Sequence, residues 1–245
     1  MSGHPVPLGR RVAAEAVGTA VLVAVVAGSA TQATELSQDA GMQLMANCLA
    51  TVFGLGVLIA VFGPVSGAHF NPVVTLAAWL TGRRSGEGLS LREASAYVPA
   101  QIFGAINGSA LANAVFGRPL VTFSSHDRSA SHLWLGEVAA TAGLLLVVFG
   151  LVRAGRTHLT PAAVAAYIGA AYWFTSSTSF ANPAVTIGRA FTDSFAGIAP
   201  GSIPAFVAAQ LVGAAAGPSL VVLIFGPSAR AVAEPATALA TVSAR

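Results

Sequence analysis

The sequence contains no lysine, and its one cysteine, Cys48, excludes an internal disulfide. Charge of either sign is scarce: 9% of the 245 residues are charged, against about 25% in ordinary soluble domains. A soluble globular class is therefore excluded. With 55% hydrophobic residues and a mean hydropathy of +0.73, the chain reads as an integral membrane protein with the lipid bilayer as its first partner. All 12 basic residues are arginine, and the pI near 9.8 invites a nucleic-acid reading. These arginines fall in short loops between apolar runs rather than on one face, so topology accounts for them and no nucleic-acid partner follows. There is no catalytic triad, phosphate loop or metal signature, and His126, Asp127 and His132 are too loosely spaced to read as ligands. The chain is read as a non-enzyme with no cofactor and no metal. Cys48, inside an apolar run, reads as a small buried hydrophobe.

What is present is a series of apolar segments. Arg10-Arg11 followed by the run 21–26 imitates a signal peptide, but Glu15 interrupts it and the same pattern recurs later, so it is read as a membrane helix. Full spans are predicted over 12–33, 43–62, 94–116, 133–152, 161–177 and 204–225, with two short elements over 72–80 and 183–191. Each short element follows an Asn-Pro pair, Asn71-Pro72 and Asn182-Pro183. Asn is a favoured helix N-cap, and Pro suits the first helical position because its missing N–H would find no partner there. About ten residues at ~1.5 Å each cover roughly half of a ~30 Å hydrocarbon core. Two half-length helices are expected.

An internal repeat organises these pieces. Glu15 in Ala14-Glu15-Ala16 is matched by Glu137 in Gly136-Glu137-Val138, Asn71-Pro72 by Asn182-Pro183, and Ala100-Gln101-Ile102-Phe103-Gly104-Ala105 by Ala209-Gln210-Leu211-Val212-Gly213-Ala214. With three spans per half, the repeats, about 11–116 and 133–226, must enter the bilayer with opposite orientation. The whole forms one membrane domain with a disordered tail over 227–245. With the N-terminus inside, nine arginines lie in inside segments and Arg118, Arg128 and Arg189 outside, which places both termini in the cytoplasm. Small residues such as Gly104, Gly108, Gly213 and Gly217 mark helix–helix contacts.

Inverted repeats put their site near the midplane, where interrupted helices meet. Non-helical backbone at that depth is tolerated only inside protein or along a wet cavity; the stretches 64–70 and 176–181 are candidates. Their carbonyls would line a path through Gly67, Ala68, His69 and Thr178, with Asn71 and Asn182 as central donors. A cation would meet two positive helix ends and no carboxylate. Glu15 and Glu137, costly at membrane depth, read as acceptors for the N–H groups of these loops rather than as a proton relay. His69 reads as a structural donor beside the path rather than a pH sensor.

The doubled set Ser66-Gly67-Ala68-His69-Phe70-Asn71-Pro72 and Asn182-Pro183-Ala184, with the Glu and Ala-Gln-x-x-Gly-Ala helices, resembles the major intrinsic protein family of aquaporins and aquaglyceroporins. The resemblance covers nearly everything from Arg11 to Phe225. It implies an all-α membrane fold, a right-handed bundle of six helices with two re-entrant half-helices, assembled as a homotetramer with one pore per protomer. Two departures stand out. Val73 replaces Ala in the first box, and Val185 stands where the family usually places its filter arginine. Ungapped counting maps the other constriction positions to Thr51, Ala170 and Ser179, with Phe53 and Gly169 as alternatives if a gap intervenes. Arg189, one turn beyond Val185, either supplies an outer-mouth charge or caps its own half-helix. The inferred filter is wide and weakly polar. A passive plasma-membrane channel for small neutral solutes is expected, glycerol-like polyols and neutral metalloid hydroxides such as arsenite in preference to water alone. A water-selective channel, a secondary transporter and a poorly conducting junctional protein are the alternatives.

Overall fold

The structure, a computed structural model, describes residues 6–85 and 88–227; the expected disordered tail falls, but for Pro227, outside them. Among the described residues there are eight α-helices and no strand. They run α1 (Leu8–Leu36), α2 (Ala40–Ser66), α3 (Pro72–Ser85), α4 (Leu91–Val115), α5 (Ser131–Arg153), α6 (Thr160–Phe174), α7 (Pro183–Gly188) and α8 (Ile203–Phe225). Local chemistry sets the ends. The Asp39 side chain accepts from the Met42 N–H to start α2, which stops at Gly67 in the left-handed region. A capping box between Ser90 and Glu93 starts α4.

The first four helices repeat as the second four. α1 packs on α4 and α2, and α5 packs on α8 and α6. α2 meets α6, and each short helix crosses to the other half, α7 against α4 and α3 against α8. The tightest approaches are at glycines. A Cβ at Gly104 would lie 2.2 Å from the Ala16 carbonyl oxygen and one at Gly108 2.3 Å from that of Ala20; on α8, Gly213 and Gly217 stand in the same relation to Val138 and Ala142, at 2.6 and 2.7 Å. No larger residue fits these crossings without moving backbone.

By length and apolarity alone, α1, α2, α5 and the stretch Pro200–Phe225 qualify as membrane spans. The other two predicted spans differ for separate reasons. α4 is long enough but carries Arg92, Glu93, Gln101, Asn107 and Asn113. α6 ends at Phe174 rather than 177, and its 15 residues extend only about 22 Å. A second correction concerns Pro64, predicted as the start of non-helical chain: it sits inside α2, which continues to Ser66. Its missing N–H forfeits the bond to the Ala60 carbonyl, and α2 ends two residues on.

Candidate functional site

Each Asn-Pro box opens a helix. Asn182 Oδ1 accepts from the N–H groups of Ala184 and Val185, and Asn71 Oδ1 accepts from that of Val73. α3 continues a turn past the predicted 72–80, whereas α7 gives way after Gly188 to a 3₁₀ turn, Arg189–Phe191. The strands of chain leading into the boxes share one conformation. Gly67 and Thr178 have φ of 88° and 60°, Ala68 and Ser179 50° and 54°, Phe70 and Ala181 50° and 48°. Left-handed non-glycine residues cost of order 1–3 kcal/mol each and persist only where the surroundings hold them.

Two buried carboxylates do the holding. Glu15 Oε1 accepts from Ser66 Oγ at 2.6 Å and the His69 N–H at 3.0 Å, while Oε2 accepts from the Phe70 N–H at 2.7 Å. Glu137 accepts from the Phe180 and Ala181 N–H groups at 2.9 and 2.8 Å. Behind them Gln101 donates to Glu15 and Thr75, and Gln210 to Glu137 and Thr186. The donors to these carboxylates are backbone N–H groups, a hydroxyl and the glutamine amides, the arrangement of an anchor.

The two loops meet at the asparagines. Asn71 Nδ2 donates to the Ala181 carbonyl and Asn182 Nδ2 to the Phe70 carbonyl. An amide nitrogen has two hydrogens, so each retains one beyond this bond. Both asparagines lie on the wall of a cavity of about 630 Å³. It extends from Thr157 and His158, in the α5–α6 connection, past Gly67, Ala68 and His69 to Ser179, Val185 and Arg189. Among the described residues no carboxylate lines it. His69 is fixed there by a ring Nδ1 contact to Thr75 Oγ1 at 3.1 Å and an edge contact with Tyr97.

At the α7 end the wall includes Thr51, Ile168, Tyr172, Ser179, Val185 and Arg189. Thr51 Oγ1 and the Tyr172 hydroxyl are 3.0 Å apart, and Ser179 Oγ is buried with no hydrogen-bond partner among the described residues. Two sequence assignments change. Ala170 is exposed on the far side of α6; the lumen face is Val164, Ile168 and Tyr172, spaced by four, and residue 170 is two positions, about 200°, from either neighbour on that face. Of the alternatives, Phe53 is 68% exposed, and Gly169 packs against Val52. Thr178 is not on the cavity wall; Ser179 and Ala181 are. In the Tyr172-Trp173-Phe174 triplet, Tyr172 is buried against the lumen, whereas Trp173 and Phe174 are exposed.

Arg189 is 2% exposed. Its Nε donates to the Ala196 carbonyl, beyond its own half-helix, and its guanidinium carbon lies 3.4 Å from the Phe180 ring centre. It does not cap α7.

A family model described as "major intrinsic protein" matches residues 4–180. The chain belongs to the major intrinsic protein family. It is 48% identical over 207 residues to "Aquaglyceroporin AqpS" of Rhizobium meliloti (strain 1021), covering 84% of this chain and 86% of that protein. Against "Aquaporin NIP1-1" of Zea mays it is 31% identical, covering 86% and 73%. The solved aquaglyceroporin of Plasmodium falciparum has the same fold, with a TM-score of 0.67 at 18% identity, covering 90% of this chain and 96% of that one. The protein is accordingly an integral membrane channel of this family and not an enzyme. Sequence reasoning missed Ile168 as a wall residue and the partners of Arg189. The four-residue spacing 164, 168, 172 was a usable signal for the first; nothing local announced the second.

Proposed function

We propose that this major intrinsic protein is a passive channel for small uncharged polar solutes, namely water, glycerol-like polyols and neutral metalloid hydroxides such as arsenous acid. In this reading it works as a homotetramer in the plasma membrane, with both termini cytoplasmic and the α7 end outward. The observation that carries the solute class is the wall at the α7 end: Val185 stands where the family resemblance puts arginine, beside Thr51, Ile168 and an unpartnered Ser179 hydroxyl. That wall is apolar enough to leave a polyol's carbon face unhindered and offers hydroxyls for its other face.

The path supplies exchange partners for a molecule that both donates and accepts. Among the described residues, the carbonyls of residues 67–69 and 179–180 accept no protein hydrogen bond, and each asparagine has its second amide hydrogen at the waist. A cation has the carbonyls but meets the N-terminal ends of α3 and α7, the Arg189 guanidinium and no carboxylate on the wall. Arg189 is the outer-mouth charge in this reading. Stopped-flow shrinkage and reswelling of proteoliposomes under water, glycerol and arsenite gradients tests the whole. All three fluxes should exceed bare lipid and rise linearly with solute; saturation coupled to an ion gradient would make the protein a transporter instead.

A further inference from the structure

Arg189 is not the only arginine against Phe180. The guanidinium carbon of Arg128, in the chain between α4 and α5, lies 4.9 Å from the same ring centre, and the residue is 7% exposed. Neither cation has a carboxylate partner among the described residues. Their compensation comes from one short turn. Arg128 donates through Nε to the Gly197 carbonyl at 2.9 Å and through Nη2 to that of Phe195 at 3.5 Å, while Arg189 takes the Ala196 carbonyl between them. Arg128 Nη1 also reaches the Ser177 carbonyl at 3.4 Å, at the entry to the re-entrant loop. Three consecutive carbonyls are thus shared by two cations, with an aromatic ring in contact with both. Phe180 is itself fixed, by its N–H on Glu137 and by an edge contact with Phe206 at 5.3 Å.

The two arginines differ in one respect: Arg189 lines the cavity and Arg128 does not. Its Nε bond to Ala196 is the one protein hydrogen bond of the Arg189 guanidinium among the described residues, so its two terminal nitrogens are left to whatever occupies the lumen. One bond and one ring do not by themselves fix so long a side chain; the rigidity of both depends on the turn 195–197 and on Ser177, which Arg128 ties together from behind. Two buried cations without a direct ion pair are expensive.

We propose that Arg128 is a positioning residue for selectivity: by bracing the 195–197 turn and Phe180 it holds the Arg189 guanidinium at the lumen wall, where it repels cations. This rests on the reading of Arg189 as the outer-mouth charge, and the test separates the two. Full-length protein in liposomes is assayed for potassium leak, from the dissipation of a potassium gradient, and for glycerol flux. Arg189→Ala raises the ratio of potassium leak to glycerol flux roughly tenfold, the scale for removing one poorly screened charge from a narrow path. Arg128→Gln raises it in the same direction, and the double variant leaks no more than Arg189→Ala alone, because both act through one group.

If Arg189→Ala leaks and Arg128→Gln keeps the parent ratio, this proposal falls while the reading of Arg189 stands. If Arg189→Ala keeps the parent ratio, that reading falls and takes this one with it. Multiplying effects in the double variant would make Arg128 an independent charge and overturn the positioning role. A purely structural Arg128 would lower glycerol flux and thermal stability without moving the ratio. Should Arg128→Gln fail to assemble, Arg128→Lys takes its place: a single ammonium cannot span Gly197, Phe195 and Ser177 as the planar fork does, so the ratio still rises, and a parent value overturns the proposal.

Discussion

Asn71 and Asn182 trade hydrogen bonds across the waist of the bundle, each donating at 2.8 Å to the carbonyl of the residue preceding the other. Each side chain therefore does three things at once: it caps its helix, ties the opposite loop and offers a donor to the lumen.

Replacing Asn182 by Ala removes the cap on α7 and leaves the Phe70 carbonyl without its donor. The expected loss is about 1 kcal/mol for the cap and about 1–3 kcal/mol for the buried carbonyl. Thermal unfolding in detergent should shift downward for Asn182→Ala and for Asn71→Ala alike. An unchanged midpoint in either would mean that the exchange contributes nothing to stability.

The acids make a second prediction. In Glu137→Gln one carboxylate oxygen becomes an NH₂ donor that must face either the Phe180 or Ala181 N–H or the Gln210 amide, all of them donors. At least one buried N–H loses its acceptor, at about 1–3 kcal/mol. Glu15→Gln should behave alike, so both variants melt early. A proton relay predicts the reverse pattern, normal melting with altered proton leak.

On α4, Gly108→Ala would place a methyl 2.3 Å from the Ala20 carbonyl oxygen and 2.9 Å from the Val23 Cβ. Overpacking of this kind costs roughly 1–3 kcal/mol, and the yield of folded protein should drop. Gly9→Ala, where nothing lies within 4 Å, is the control and should leave yield and melting at parent values.

Selectivity is tested at Val185. An arginine placed there should narrow the α7 end and suppress glycerol and arsenite flux more than water flux in the same liposomes. Equal loss of all three would sink the argument from a wide filter.

How much of this was legible in the sequence depends on how locally each feature is encoded. The boxes, the two acids and the two glutamines were readable because the chain states each of them twice, at matching spacing. α6 was not readable in the same way. Nearly every residue from Val164 to Phe174 is apolar or small, so no polar stripe marks which side meets the lumen, and counting from the family's pattern landed on Ala170, the exposed side. The left-handed backbone at Thr178 and Ser179 was equally silent, since glycine stands at only one of the six equivalent positions and the two buried acids, Glu15 in one loop and Glu137 in the other, hold the rest. The grouping of Arg128, Phe180 and Arg189 joins residues up to 61 positions apart in sequence, and only the packed bundle brings them together.

The exchange at the waist makes each repeat the other's missing half. Produced as separate polypeptides, neither piece could satisfy the amide and carbonyl at its own tip from within itself. Reconstitution would require the two fragments to insert with opposing polarity and find one another in the lipid. The covalent connection between them supplies proximity, and the chemistry of pairing is already complete without it.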